Sequence, residues 1–477
     1  MRAYDIFFFC CFFFLFGILL SSFGLKDEIL IFVLAGFFAF LVGAAFFKKR
    51  FYIILAFLLF AILPGALYYT NYQETHSRMV IPFDENIGWR GRVGSPPERG
   101  GRQTFTLKLL PPRKGNILIQ TALYPEYRFG EIITFSGSIQ KTKGDYGSYL
   151  EHTKDIRGIS YFPNLEKREG ATTWRGLLFG IKERFLLSFR NTLPYTEAAF
   201  LGGITVGERE EFSKEFKDAM SRSGTSHLVA LSGYNIIIIL NILGGCITGI
   251  MSRKKAFWVT LTIVLGFVLM TGAEASVVRA AIMGILVAVA PFLGRLYAPR
   301  NSIILTALCM ALWNPEILRH DLGFQLSFLA LLGIIYLAPA LSRLFRFKNK
   351  GFLNWKENLI LTLSAQLMVT PLLVAIFGGV SALSLLSNIL ILEFIPFTMF
   401  LGFVLGAVYL FSQTIATLIA WVTLVPLKLE LGIIQVFSIF TLPLAPVFTI
   451  GGVFLYYLAM IFLIWRATKF NTFIRAN

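Results

Sequence analysis

Polar and ionisable side chains stand inside long apolar runs of this sequence, and their types admit only a few kinds of chemistry. Ser226, His227, Ser232, Gly233, Tyr234 and Asn235 open one run, and Glu274, Ser276 and Arg279 open the next. His320, Asp321, Gln325 and Ser327 open a third, while Gln366, Thr370, Ser387, Asn388 and Glu393 are spread through the final third. A Ser, a His and an Asp supply a nucleophile, a base and an orienting acid, so an intramembrane hydrolase acting through Ser232 is one reading. No G-x-S-x-G context surrounds Ser232, and its five-residue separation from His227 fixes no geometry. A second reading is a polar path, because such groups are costly in hydrocarbon unless they face water or a packed helix. Hydrogen bonding between helices alone is a third. On a helix Ser232 and Asn235 share adjacent parts of one face, and Gly233 permits a break there. Glu274 and Arg279, at i and i+5, call for partners on other helices. His76, His152, His227 and His320 are dozens of residues apart, and Cys10, Cys11, Cys246 and Cys309 sit in apolar runs. No metal-ligand motif and no disulfide framework can be written, so neither metal nor cofactor is expected.

The elements that must carry these groups are set by composition. Of 477 residues 56% are apolar and 15% charged, and Phe alone occurs 49 times. Soluble domains carry roughly 25% charged residues, so much of this surface must face lipid. A helix needs about 20 apolar residues to cross a bilayer. By that measure about twelve spans are predicted, near 6–23, 29–47, 51–69, 227–250, 256–272, 275–293, 302–313, 322–341, 358–377, 383–410, 414–438 and 446–465. The span at 302–313 is short and 383–410 contains Pro396, so one or both are candidates for a broken or re-entrant segment. Lys48, Lys49 and Arg50 lie between the second and third spans, which puts that loop and the amino terminus in the cytoplasm. Arg253, Lys254 and Lys255, then Arg295 and Arg300, then Arg343 to Lys356, and finally Arg466, Lys469 and Arg475 fall where alternation requires inside loops. Both termini are therefore expected in the cytoplasm. The excess of 44 Lys and Arg over 27 Asp and Glu, a formal +17, follows from this bias and by itself names no ligand.

Four segments result: three N-terminal spans over 1–70, an extracytoplasmic β domain over 71–173, amphipathic interfacial helices over 174–222, and a transmembrane domain over 223–477. Between 87 and 139 short alternating runs, such as Thr104 to Leu109, are punctuated by Gly and Pro, which predicts a small antiparallel barrel or sheet of about five strands. Such an OB-like barrel can stack bases on aromatics beside a basic groove. Trp89, Arg90, Arg92, Arg99, Arg102, Phe105 and Lys108 are close enough in sequence for that, but the pattern favours an ordinary solvated sheet face with Trp89 and Phe105 in the core.

Several stretches resemble the ComEC family of competence proteins. They are residues 203–209, 222–233, 271–280 and 322–328, with Gly144, Asp145 and Tyr146 and the run 156–159 in the external segment. The resemblance implies an inner-membrane channel that passes a single strand of DNA inward during natural transformation. His227, Ser232, Asn235, Glu274, Arg279, Asp321 and Gln325 are then expected as path or gate residues. A polyanion needs a polar path screened from lipid, with Arg or Lys near its walls. The family usually has His where this chain has Asn235, which leaves hydrogen bonding there. Many relatives add a carboxy-terminal metallo-β-lactamase-like domain. No H-x-H-x-D-H occurs here, so the expectation is a non-enzymatic chain whose nuclease is another polypeptide. No P-loop is present, so the drive would come from the membrane potential or a separate cytoplasmic motor. Further implied partners are a periplasmic or surface DNA receptor, a single-strand-binding protein and a second copy of the chain. A secondary transporter of an anionic solute is the remaining alternative, and it predicts inverted repeats that the sequence does not show.

Overall fold

The computed structural model describes residues 3–474 apart from 26–27, 48–49, 78–80, 100–101, 112, 171–172, 209–211, 230–234, 237, 240–250, 295, 345–354, 378–379, 382, 441–442 and 445–449. The chain divides into two compact units, Met1–Phe179 with Val278–Phe324, and Gly180–Val277 with Gln325–Asn477.

In the first unit, helices Ala3–Ser22 and Glu28–Phe47 are followed by a third run made of Arg50–Leu58, Leu59–Ala61 and Ile62–Ser77. They are apolar all round except for the last two turns of the third run, Thr70 to Ser77, as expected of helices whose outer faces meet lipid. In lipid, association depends on close packing rather than on expelling water. Here Gly17 lies against the Ile62 carbonyl and Gly65 against the Phe14 carbonyl, so close that a Cβ at either position would strike backbone. Helix Pro299–Trp313 joins them: Tyr68 donates to the Leu312 carbonyl at 2.6 Å, and Arg300 meets Asp5 at 3.3 Å while stacking over Phe8.

Among the described residues the same unit carries a sheet of eight strands: β1 (Ile87–Val93), β2 (Glu98–Arg99), β3 (Gln103–Leu109), β4 (Asn116–Thr121), β5 (Ile132–Gly137), β6 (Gln140–Lys141), β7 (Ile156–Tyr161) and β8 (Asn164–Glu169). Their order is β6-β7-β4-β3-β1-β5-β8, with β2 on β3. All pairs are antiparallel except β4 with β7. The period of two along each strand sends alternate residues inward, so Trp89 and Val93 from β1 and Phe105, Leu107 and Leu109 from β3 meet Ile133 and Phe135 in one core. The stretch 87–139 thus holds five strands, β1 to β5, all paired antiparallel as expected, and β6, β7 and β8 extend the sheet beyond it, β7 by parallel pairing with β4. Strands β2 and β6 are two residues long and give no alternation to read, and β7 and β8 lie beyond the stretch from which the pattern was taken. Helix Gly144–Lys154 ends at Asp155 in the left-handed conformation and packs Leu150 on Leu118 and Ile156.

Among the described residues six helices are long and apolar enough to cross a membrane: Tyr4–Ser22, Glu28–Phe46, Tyr52–His76, Leu322–Leu344, Lys356–Ile376 and Gln413–Ile439. Ser384–Leu392 and Ile395–Tyr409 together pass the same test but bend by 48°, at the segment where Pro396 pointed to a break. Pro299–Trp313 is a short helix of 15 residues. In the second unit Pro371 lies inside helix Trp355–Phe377. Proline has no N–H to give the carbonyl four residues back, and its ring crowds that turn. Two neighbouring tyrosines repair the damage: Tyr456 donates to the Leu367 carbonyl at 2.9 Å and Tyr457 to the Met368 carbonyl at 3.0 Å. Helix Ile395–Tyr409 offers Gly402 to Leu201 and Thr205, and Gly406 to Phe185, again by close approach at small residues.

Candidate functional site

Helix Lys214–Ser223 begins at Ser213, whose hydroxyl accepts from the Phe216 amide, and closes at Gly224 with φ of +71°. A Cβ at Gly224 would collide with Ser384, so both the backbone conformation and the packing require glycine there. The tight turn leaves the Ser223 and Thr225 hydroxyls 2.7 Å apart and fully buried, and presents the Ser223 carbonyl to the Ser387 hydroxyl at 2.9 Å. Gln366 donates to the Ser384 hydroxyl at 2.5 Å. Nearby in the chain, Asn388 is 4% exposed and its Oδ1 lacks a hydrogen-bond partner among the described residues. Across the bent pair, Thr398 donates to Glu430 at 2.7 Å, and the second oxygen of this wholly buried carboxyl has no partner among the described residues. Asn235 is also buried and donates to the Ile204 carbonyl at 3.1 Å. The second unit therefore holds a series of polar groups within helices whose composition suits lipid. An under-satisfied carboxyl in such a place marks a functional position more often than a structural one.

The residues expected from sequence have different local roles. His227 is exposed, Glu274 half-buried, and Ser232 lies outside the described residues. Gln325 lines an apolar cavity of about 420 Å³ with Phe328, Pro371 and Tyr457, beside the Pro371 kink. In the first unit, Asp321 caps helix Leu322–Leu332 by accepting from the Phe324 amide at 3.0 Å. Arg279 is 7% exposed, and its Nη1 has no hydrogen-bond partner among the described residues. Glu430 was missed by the sequence reading. Its signal was a lone acid near the middle of the 27-residue apolar helix Gln413–Ile439.

On the sheet, Trp89 and Phe105 are core residues. Trp89 stacks with Phe135, donates to the Gly137 carbonyl at 2.9 Å and is covered by Arg113, while Phe105 packs on Tyr127. Burial removes both rings as platforms for a base, which corrects the stacking role considered for them. Arg90, Arg92, Arg102 and Lys108 are exposed. Arg90 pairs with Glu169 at 2.9 Å, and Arg92 faces Lys108 directly across β1 and β3. Like charges in that register repel, and an anion laid across the strands relieves the repulsion.

Sequence spacing showed no metal-ligand set, but the fold brings together residues far apart in the chain: His152, Glu316 and His320 converge, their ligand atoms all within 4.8 Å of one another. Nδ1 of His152 lies 3.4 Å, and Nε2 of His320 3.6 Å, from the same Glu316 oxygen. Tyr69 and Gln73 donate to that carboxyl at 3.1 and 3.3 Å. The Glu316 bond holds the His152 imidazole above its ordinary value, whereas burial, with His152 adding to it, pushes His320 down. Burial also opposes the Glu316 charge, but bonds from His152, Gln73 and Tyr69 outweigh it and leave the carboxyl below its usual range.

The family described as Competence protein matches residues 204–470. The chain belongs to the ComEC family of competence proteins. Its matched segment contains Glu430, Asn388, Ser387 and the Pro371 kink. ComE operon protein 3 of Bacillus subtilis (strain 168) is 28% identical over 342 residues, which are 68% of this chain and 41% of the relative, so the chain spans less than half the length of that protein. No solved structure matches the chain.

Proposed function

We propose that this ComEC-family chain forms an inner-membrane passage through which a single strand of DNA enters the cytoplasm during natural transformation. The observation that carries this reading is that the family match at 204–470 coincides with the helices that bury Ser223, Ser387, Asn388, Thr398 and Glu430. Those groups, with His227, Ser232, Asn235, Glu274, Arg279 and Gln325, are read as path or gate positions. Asp321 holds the start of its helix.

About twelve crossings are read from hydropathy: the six long helices, the bent pair, the shorter apolar helices Ala275–Ala290 and Gly451–Arg466, the helices Arg253–Met270 and Pro299–Trp313, and the run 227–250, much of which lies outside the described residues. Positive loops place both termini in the cytoplasm and the sheet outside. One contact supports that arrangement. Asn314 donates to the His152 and Thr153 carbonyls at 3.1 and 3.4 Å, so the loop after Trp313 shares a side of the membrane with the sheet. The sheet is read as OB-like, supported by the order β7-β4-β3-β1-β5 with β4 and β7 parallel. Its exposed Arg92, Arg102 and Lys108 are read as backbone contacts for incoming DNA, since phosphate contacts need charge rather than base readout. A surface DNA receptor, a separate nuclease and a cytoplasmic motor or single-strand-binding protein are the implied partners.

The test is uptake of end-labelled double-stranded DNA by competent cells with and without the gene. Loss of the nuclease-protected pool with surface-bound label retained is expected. Unchanged protection, in a competent strain with no second copy, overturns the reading.

A further inference from the structure

We propose that His152, Glu316 and His320 form a zinc site that clamps helix Gly144–Lys154 to the loop following helix Pro299–Trp313. Zinc in a tetrahedral site binds imidazole nitrogen and carboxylate oxygen at about 2.0–2.2 Å, which sets neighbouring ligand atoms about 3.4 Å apart. The two edges that meet at the Glu316 oxygen measure 3.4 and 3.6 Å. Two nitrogens and one oxygen suit zinc or a similar first-row divalent ion, whereas magnesium and calcium take oxygen ligands.

Three independent features point the same way. First, one nitrogen of each imidazole lies within 3.6 Å of the same Glu316 oxygen, a convergence of two neutral donors and a carboxylate that a divalent cation would hold together. The two rings stack, with centroids 4.1 Å apart and planes at 15°, so binding one cation in the plane of both requires one ring to turn out of the stack. Second, the carboxyl is oriented as in established metal sites, where outer hydrogen bonds hold the ligands: Tyr69 and Gln73 donate to it, and Gln73 also donates to Tyr69 at 2.9 Å. Third, the loops are fixed to each other by Asn314, which accepts from the Glu316 amide at 3.0 Å while donating to the His152 carbonyl.

The Glu316 side chain is 6% exposed, but His152 and His320 are 33% and 18% exposed, which leaves a solvent side for a fourth ligand, water. Glu151 and Arg157 face His152, and Arg319 faces His320. Arg319 is drawn off by the Ser22 carbonyl and the Phe23 ring. The site is structural and binds zinc whether or not the chain carries DNA.

The experiment uses the full chain, purified in detergent, stripped with chelator and titrated with zinc alone. One zinc per chain is expected, together with a rise in unfolding temperature on adding zinc and, with cobalt substituted, the intense visible absorption of a four-coordinate site. His152→Ala and His320→Ala are expected to abolish binding, and Tyr69→Phe to weaken it by about tenfold. Failure of the wild-type chain to bind zinc stoichiometrically, or stoichiometric binding that survives the double substitution, overturns the proposal. The zinc-dependent thermal shift of the wild type decides the matter even if the histidine variants do not fold.

Discussion

Two buried glutamates are treated in opposite ways by their surroundings. Glu316, 5% exposed in the first unit, receives Tyr69 and Gln73 and lies within 3.6 Å of two imidazoles. Glu430, fully buried in the second, has one hydroxyl on one oxygen and an unmet second oxygen among the described residues. Leaving a buried acceptor unmet costs about 1–3 kcal/mol, and more for a charged one. A protein that completes the shell at Glu316 and leaves it incomplete at Glu430 is spending stability at the second place and gaining it at the first. On the proposed reading, Glu316 belongs to the architecture and Glu430 to the passage.

The largest expected effect comes from breaking the complete shell. Glu316→Ala strands two imidazoles, a phenol and an amide, and should cost about 3–5 kcal/mol, as for other buried networks that lose one partner. Thermal unfolding of the detergent-purified protein measures it, and a cost near zero would mean that the shell is not structural. At Arg279 the comparison runs the other way. A buried guanidinium with an unmet donor contributes little to stability, so Arg279→Met should leave abundance unchanged or higher while DNA import falls. Import at the wild-type level would remove Arg279 from the path.

Smaller effects sharpen the same contrast. Tyr456→Phe exposes the Leu367 carbonyl that Pro371 freed, and is expected to cost about 1 kcal/mol with import intact. On the sheet, Arg92→Ala should change stability by under about 0.5 kcal/mol. It should also lower the salt dependence of DNA binding by about one unit of slope, as for the loss of one phosphate contact. An unchanged slope would place the DNA on another face.

The two units differ in how much of them a sequence can disclose. Strands β1, β3, β4 and β5 announce themselves because one face is wet, so Trp89, Phe105 and Phe135 alternate with polar residues. The long spans at the amino terminus are legible by length alone, and the bend near Pro396 by its proline. Helix Gly144–Lys154 was not read, because its apolar contact with the sheet rests chiefly on Leu150. Of the candidate site, Asn235 and Gln325 were visible as polar residues in apolar runs, but what each bonds to depends on residues far away in sequence. Glu316 and His152 are 164 positions apart and are joined only by the fold. Glu430 was overlooked because the Lys428 beside it makes the run read as an ordinary charged turn of helix, and only tertiary packing shows that Glu430 is enclosed while Lys428 is exposed.

The most direct test of the passage is DNA import in competent cells carrying Glu430→Gln, which keeps the shape and the acceptor for Thr398 but removes the acid. The expected result is full protein abundance and normal surface-bound label, with the nuclease-protected label sharply reduced. Protected label at the wild-type level, with abundance verified, would contradict the assignment of Glu430 and its buried polar neighbours to the path of the strand.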